Sequence, residues 1–597
     1  MLGPTWDLSP LYQSDTDPQI EKDLAKLKKN SYKFIDKWKD RTDYLTSTTA
    51  LKEALADQEA WDNAGGILGE VGYYFHLRSA QEEDNAQLKA RLNQLTDFAT
   101  KIENDAQFFT MRLAKVETKF QQKILADESF AKYHYFLKKI FENARYLLSE
   151  SEEKILNLKS NPAHSQWVQM MSTLLTKESR PVFDRDGKTK NLPFEAILAL
   201  ASDKKKKIRH RAAAALNEIL AKLADVAEAE INAILLDKKI NDELRGFARP
   251  DTSRHLSDNV DSAVVDILVE EVEKAFNISQ RFYKLKAKLL GQKVLLYHER
   301  NVPYGEVKKK FSYKEGVALV SEVFKKLDPD FYRYFRGFVD SGAIDVYPRK
   351  GKGGGAFCIY NLRTSPVYIL LNYTNELNDV RTLAHEAGHG INNELMREQQ
   401  PPHYFGTPVV TAEVASTFAE DFVQQELMQG ADDNLRLTLQ VAKLGDEIST
   451  IIRQVAGYRF EQELHAEFRK QGYLSKEEIG RLFQKNMKAY MGSGVEQSAG
   501  SGNWWIYWSH FRNFFYVYSY ASGLLISKSL QAKVKTDPSF MTKVKDFMRA
   551  GCSDSPENMF KKLGVDITDR KFWQAGLGEI ESLLAETEKL AKKLGKI

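Results

Sequence analysis

The sequence predicts a mainly α-helical protein with at most a small sheet, and three observations carry that expectation. Long stretches are rich in Lys, Glu, Ala, Leu and Gln, with apolar residues at helical spacing. Prolines number only 16 in 597 residues, which suits long uninterrupted helices. Only one segment after the first third of the chain has the β-branched, aromatic and large apolar run expected of a strand.

The elements follow in order. Residues from about Pro18 to Thr176 carry the helical pattern, seen locally at Leu51, Ala54 and Leu55. Arg180–Pro193 breaks it: Asp186-Gly187 lies between the short runs 181–183 and 189–192 and reads as a hairpin turn. This break divides the expected helical body into two parts, an N-terminal helical domain over 1–192 and a second domain over 193–597. Helical patterning resumes near Pro193 and runs to about Leu290. Gly351–Gly355 is a glycine-rich loop that lacks the Gly-Lys-Ser/Thr of a phosphate loop. Val367–Tyr373 then reads as a strand.

Composition excludes several classes. Lys+Arg 86 against Asp+Glu 82 leaves a formal charge of +4, too near balance to argue for nucleic acid. The basic runs Lys204–Lys207 and Lys308–Lys310 read as solvated faces. Two cysteines, Cys358 and Cys552, do not make a disulfide framework. The opening Met1–Leu8 lacks the basic start and apolar core of a signal peptide, and no run of eighteen apolar residues suggests a membrane span. A cytoplasmic protein is expected, without nucleic-acid or membrane partners, as a monomer or weak homo-oligomer.

The residues that carry chemistry begin after Asn378-Asp379, a plausible helix start. In Val380–His389, the apolar stripe Val380, Ala384, Ala387, Ile391 and Leu395 marks a helix packed on a core. His385 and His389, four apart, project from one face and can share one zinc ion. Glu386 beside them can contact a water on that ion. Such a His-Glu-x-x-His pattern arises by chance in roughly one chain in a hundred of this length and composition. A catalytic zinc takes three protein ligands and keeps a position open. Thr411–Glu420 reads as a second helix with Thr411 as its N-cap. Glu413 offers a candidate third ligand, and Glu420 lies two turns on along nearly the same face; one carboxylate could ligate the zinc while the other holds a ligating His in its tautomer.

Downstream, the Gly492–Gly494 and Gly500–Gly502 stretches precede an aromatic-rich run with His510, Tyr516, Tyr518 and Tyr520. Tyr516 and Tyr520, four apart, are expected on one helix face. If its edge is exposed, the strand Val367–Tyr373, through Tyr368 and Ile369, would pair with a substrate backbone. Gly353, Gly354 and Gly355 would then close over it. Cys358 reads as a small buried hydrophobe.

His385-Glu386-Ala387-Gly388-His389 with the downstream Glu413-x-x-Ser416-x-x-x-Glu420 resembles the oligoendopeptidase F branch of the thimet oligopeptidase family of zinc metallopeptidases. Trp6–Tyr12, the glycine loop into Ala356-Phe357-Cys358, Leu371–Asn375 and Phe515–Gly523 share the likeness. The family's further His, seven residues after the first, is Asn392 here, which favours Glu413 as third ligand. The resemblance implies a thimet oligopeptidase/neurolysin-like helical body with a deep substrate channel and one zinc ion per chain at its floor. It implies hydrolysis of internal bonds in short peptides, with Glu386 as general base and His510, Tyr520 and Tyr516 contacting substrate or stabilising the intermediate. Two alternatives stay open: an exopeptidase of the dipeptidyl-carboxypeptidase type, which needs a cationic pocket for the C-terminal carboxylate, and a peptide-binding protein with a structural zinc.

Overall fold

The computed structural model describes residues 4–307 and 309–597, so Lys308 and the first three residues of the opening lie outside it. The molecule is mainly helical, two-lobed, with three small sheets. No described helix is long and apolar enough to cross a membrane.

The N-terminal helices form for ordinary reasons. In α1 (Pro18–Trp38) the Asp17 carboxylate caps the Gln19 N–H, and Ile20, Leu27, Phe34, Ile35 and Trp38 form the buried stripe. In α2 (Thr48–Asn63), Leu51, Ala54 and Leu55 are buried as their spacing predicts. Together with Phe108, Phe109 and Leu137 this region makes its own apolar cluster. Helix α3 (Gly69–Gln81) instead joins the main core, through Val71, Tyr73 and Phe75.

The hairpin is present. Strands β1 (Ser179–Phe183) and β2 (Thr189–Pro193) pair antiparallel, and Gly187 supplies the positive φ of the turn. The 40-residue helix α4 (Lys206–Arg245) follows and ends on Gly246 in the left-handed conformation. Strands β3 (Leu295–Leu296) and β7 (Val495–Glu496) form a two-stranded parallel pair.

The third sheet corrects one expectation. Its order is β4 (Ile344–Asp345), β6 (Tyr368–Leu370), β5 (Phe357–Ile359), so the strand predicted to offer a free edge is the middle one. Ile369 is fully buried; its N–H donates to Ala343 O at 2.8 Å and its carbonyl accepts from Trp6 Nε1 at 2.8 Å. Tyr368 is buried as well, its hydroxyl donating to Asp7 O at 2.8 Å. Neither Tyr368 nor Ile369 can pair with a substrate. The sequence misled because an apolar strand buried on both sides looks the same whether it is central or at an edge.

The free edge belongs to β5. Cys358 lies opposite Ile369, whose own backbone groups turn toward β4. By the alternation of antiparallel pairing, the Cys358 N–H and C=O point away from β6. The glycine loop before β5 is tied down at one end. Gly353 N–H donates to Ala80 O in α3 at 2.8 Å, and Asn372 donates to Gly353 O and Gly355 O. Gly354 and Gly355 are exposed, with open space around them.

Candidate metal centre

Helix α5 (Leu377–Gln399) starts one residue before the expected Asn378, with Glu376 and Asp379 forming a reciprocal cap. Its stripe Val380, Ala384, Ala387, Ile391 and Leu395 is fully buried. Helix α6 (Val409–Met428) starts two residues earlier than predicted, so Thr411 sits in its first turn and bonds Pro408 O rather than capping. The two helices press together beside the histidines. A Cβ on Gly388 would lie 2.7 Å from Ala415 O and 2.7 Å from Ser416 Cα, so only glycine allows this approach. Helix α9 (Tyr518–Thr536) closes on α6 the same way: a Cβ on Gly523 would sit 2.9 Å from Glu413 Cβ.

This packing gathers His385, His389 and Glu413, whose ligand atoms all lie within 4.8 Å of one another. Glu413 Oε2 is 3.3 Å from His385 Nε2 and 3.6 Å from His389 Nε2, and Ser416 Oγ donates to it at 3.0 Å. His385 Nδ1 lies 3.0 Å from Glu420 Oε2, and the other Glu420 oxygen accepts from Arg381 at 2.7 Å. Two converging imidazole nitrogens and one carboxylate are a donor set that suits a zinc-type cation. The set opens on a cleft of about 560 Å³, lined also by Ala356, Glu386 and Tyr520. Asn392 turns away toward Thr407.

The electrostatics separate the side chains. Burial pushes Glu386 up to about 7, with the Glu413 and Glu420 charges adding and His385 opposing. The Cys358 backbone N–H reaches the Glu386 carboxylate and lowers it slightly, which puts the β5 edge beside this acid. Burial opposes the charge of Glu413, but its bond with His385 and the nearby imidazoles hold it at about 2. Burial, with the His385 charge adding and Glu413 opposing, lowers His389 to about 4, whereas the Glu413 and Glu420 carboxylates overcome burial at His385 and raise it to about 10.

Of the expected aromatic arm, Tyr520 lines the cleft and His510 reaches it only through Tyr520: His510 Nε2 is 3.0 Å from the Tyr520 hydroxyl. Tyr516 precedes α9 instead of lying on a helix with Tyr520, because the chain runs through a turn with Phe514 and Phe515 at positive φ. The two rings still meet, 5.5 Å apart. Tyr518 is buried and donates to Asp258 at 2.7 Å. Gly353, Gly354 and Gly355 do not line the cleft; Ala356 does. Cys358 is half-buried, and desolvation raises its thiol well above the ordinary value.

Sequence reasoning missed Arg381, which holds Glu420 and Asp446. Its signal was present: it lies one turn before His385 on the same face. It also missed the charged floor of Lys443, Asp421, Glu447 and Lys528. Those residues come from three separate places in the chain; Lys443 and Glu447 share a helix face four apart, but nothing local ties them to Asp421 or Lys528.

Comparison with known proteins agrees with this architecture. The pattern described as "Oligopeptidase F" matches residues 113–177. The chain is 24% identical to Oligopeptidase PepF of Bacillus subtilis over 99% of its own length and 88% of the relative's. It is 24% identical to the Oligoendopeptidase F homolog of Borreliella burgdorferi over 98% of both. The crystal structure of oligoendopeptidase-F from Enterococcus faecium superposes with a TM-score of 0.74, covering 96% of this chain and 99% of that one at 18% identity. The pattern of Peptidase family M3 spans residues 199–579, well over half of the 597, and the chain belongs to that family.

Proposed function

We propose that the protein is a zinc-dependent endopeptidase that hydrolyses internal bonds of short, unfolded oligopeptides. The observation that carries this reading is Glu386: a buried carboxylate raised to about 7, beside a His/His/Glu set and open to the cleft. A purely structural site has no use for such a base.

His385, His389 and Glu413 would hold the single zinc ion, and Glu420, itself held by Arg381, orients His385. That ion would supply Lewis acidity and make a water easier to deprotonate. Glu386 takes the proton of the attacking water and delivers it to the leaving amine. Tyr520 donates its hydroxyl hydrogen to the developing oxyanion, with His510 fixing that hydroxyl from behind and Tyr516 packed alongside. The substrate runs as an added strand along Cys358 of β5, with the exposed Gly354 and Gly355 beside it. Binding through main chain tolerates many sequences. A cleft of about 560 Å³ admits a few residues of extended chain and excludes a folded domain. We assign the catalytic apparatus to 193–597, with 1–192 as a helical domain over the cleft. The two free cysteines agree with a cytoplasmic protein.

The test is cleavage of a short internally quenched peptide blocked at both ends, with metal content measured. Internal cleavage by the parent is expected, falling about 10²–10⁴-fold in Glu386→Gln while zinc is retained. Release of dipeptides only from a free C-terminus would favour the exopeptidase. No cleavage at full zinc occupancy would favour the binding protein.

A further inference from the structure

Behind His510 lies a second pocket, of about 360 Å³, that the reaction above does not use. Its lining includes Arg300, Arg453, His298 and His510, the rings of Trp504 and Trp508, and no Asp or Glu. Arg453 opens α8 (Arg453–Gln471), just after a π-turn at Ile448–Ile452. Its guanidinium stacks on Trp508 at 3.9 Å. Neither arginine forms a salt bridge with a described residue. Arg453 Nε, Arg300 Nε, His298 Nε2 and His510 Nδ1 are all buried and without a hydrogen-bond partner among the described residues. Arg300 is 4% exposed; its Nη1 donates to Tyr297 O at 2.8 Å and its guanidinium lies over the Tyr297 and Trp504 rings. The Gln454 amide oxygen is buried and unpartnered too, and a flip of the amide would turn its NH₂ to the same place.

The buried Arg300 guanidinium and the half-buried Arg453, both without a counter-charge among the described residues, are costly, and structures keep such groups where something neutralises them. The donors missing a partner are the kind a carboxylate satisfies: guanidinium N–H groups beside the His298 imidazole on an aromatic wall. The wall is shared with the reaction site, since His510 meets Tyr520 through its other nitrogen. By contrast Glu299, between His298 and Arg300 in sequence, is already taken by Arg209 at 2.7 Å and His210 at 3.1 Å.

We propose that this pocket is a carboxylate-binding subsite centred on Arg453 and Arg300, which captures a free carboxylate of the peptide substrate beyond His510. The proposal deepens the peptidase reading and rests on it for the source of the ligand. A small free anion such as acetate offers the same chemistry.

The experiment compares one internally quenched peptide as the free acid and as the C-terminal amide, on the zinc-loaded parent, Arg453→Gln and Arg453→Lys. Acetate titrations at constant ionic strength, read by tryptophan fluorescence, run beside it, because Trp508 lies under the guanidinium. The expected result is a KM about tenfold lower for the acid in the parent, the worth of one charge-assisted bond. That ratio falls toward one in Arg453→Gln and partway in Arg453→Lys. Equal KM values with an acetate response that needs Arg453 would support the pocket and assign it to a free anion. An acetate response that needs Arg453, in a parent that cuts neither peptide, would leave the pocket standing and sink the peptidase reading. Thermal melts certify folding; if Arg453→Gln does not fold, Arg453→Lys, which keeps the charge and loses the fork, carries the test. The proposal is overturned if folded variants match the parent in both the acid-to-amide ratio and the acetate response.

Discussion

The two walls of the cleft are built by opposite means. On the metal side, α5 and α6 are regular helices that meet at Gly388, and each carboxylate near the histidines has partners: Glu413 on Ser416, Glu420 on His385 and Arg381. On the facing side, the chain from Trp504 to Val517 is irregular, and Phe514 and Phe515 hold φ of 40° and 56°. Such non-glycine residues cost about 1–3 kcal/mol each and persist only when their surroundings hold them. Here Arg254 donates to Asn513 O at 2.9 Å, Glu461 accepts from Phe515 N–H at 2.7 Å, and His465 packs against the Phe515 ring at 4.7 Å. The helical wall is fixed by neighbours three or four residues apart, and the turn by clamps far away in sequence. Metal binding and the presentation of Tyr520 should therefore fail separately.

The largest effect that tests this separation is Tyr520→Phe. Removing one oxyanion donor should lower kcat by roughly 10²–10³-fold with metal content unchanged. Metal loss in that variant would break the comparison, because it would mean that the turn supports the ligands. The converse variant is Glu420→Ala, which frees His385 Nδ1 and leaves Arg381 with Asp446 and Asn378. Zinc affinity, measured by chelator competition, should fall by about 10–100-fold. At saturating zinc, most of the activity should return, since the turn and Tyr520 are untouched.

The same contrast explains what was legible in the sequence. His385, Glu386 and His389 announce themselves because a helix turns spacing into position, and Glu413 and Glu420 follow by the same rule on α6. The buried stripe of α5 and the break at Asp186-Gly187 were readable for the same local reason. The turn was not. Tyr516 and Tyr520 look like an i, i+4 pair, yet Tyr516 stands outside α9, because Phe514 and Phe515 take a backbone conformation that only distant clamps enforce. Nor could a pattern show which strand lies at a sheet edge: Ile369 is central because Ala343 and Trp6 reach it from 26 and 363 positions away. Arg453 and Arg300 carry no motif; what marks them is the absence of a carboxylate partner among the described residues, visible only after folding.

The smallest and sharpest test falls on Glu461, the clamp on Phe515. It is fully buried, one oxygen accepting the Phe515 N–H and the other unpartnered. Burial raises its pKa from 4.5 to about 8, against the opposing Phe515 bond and the Arg254 charge. The folded carboxyl thus keeps its proton while the unfolded one ionises. Its contribution is fully present below the unfolded value of about 4.5 and is lost as pH rises through about 8. Across that window the parent should lose stability on the order of a few kcal/mol from this group. Glu461→Gln keeps an acceptor for Phe515 and removes the titration, so its stability curve should be flatter between pH 5 and 8. Urea unfolding of both proteins at several pH values reads the difference directly. Zinc content should match, because neither α5 nor α6 contacts the clamp. Parallel curves would mean that the folded carboxylate ionises, drawn toward Arg254. The turn would then be held by charge, and salt should loosen it while leaving the metal wall unmoved.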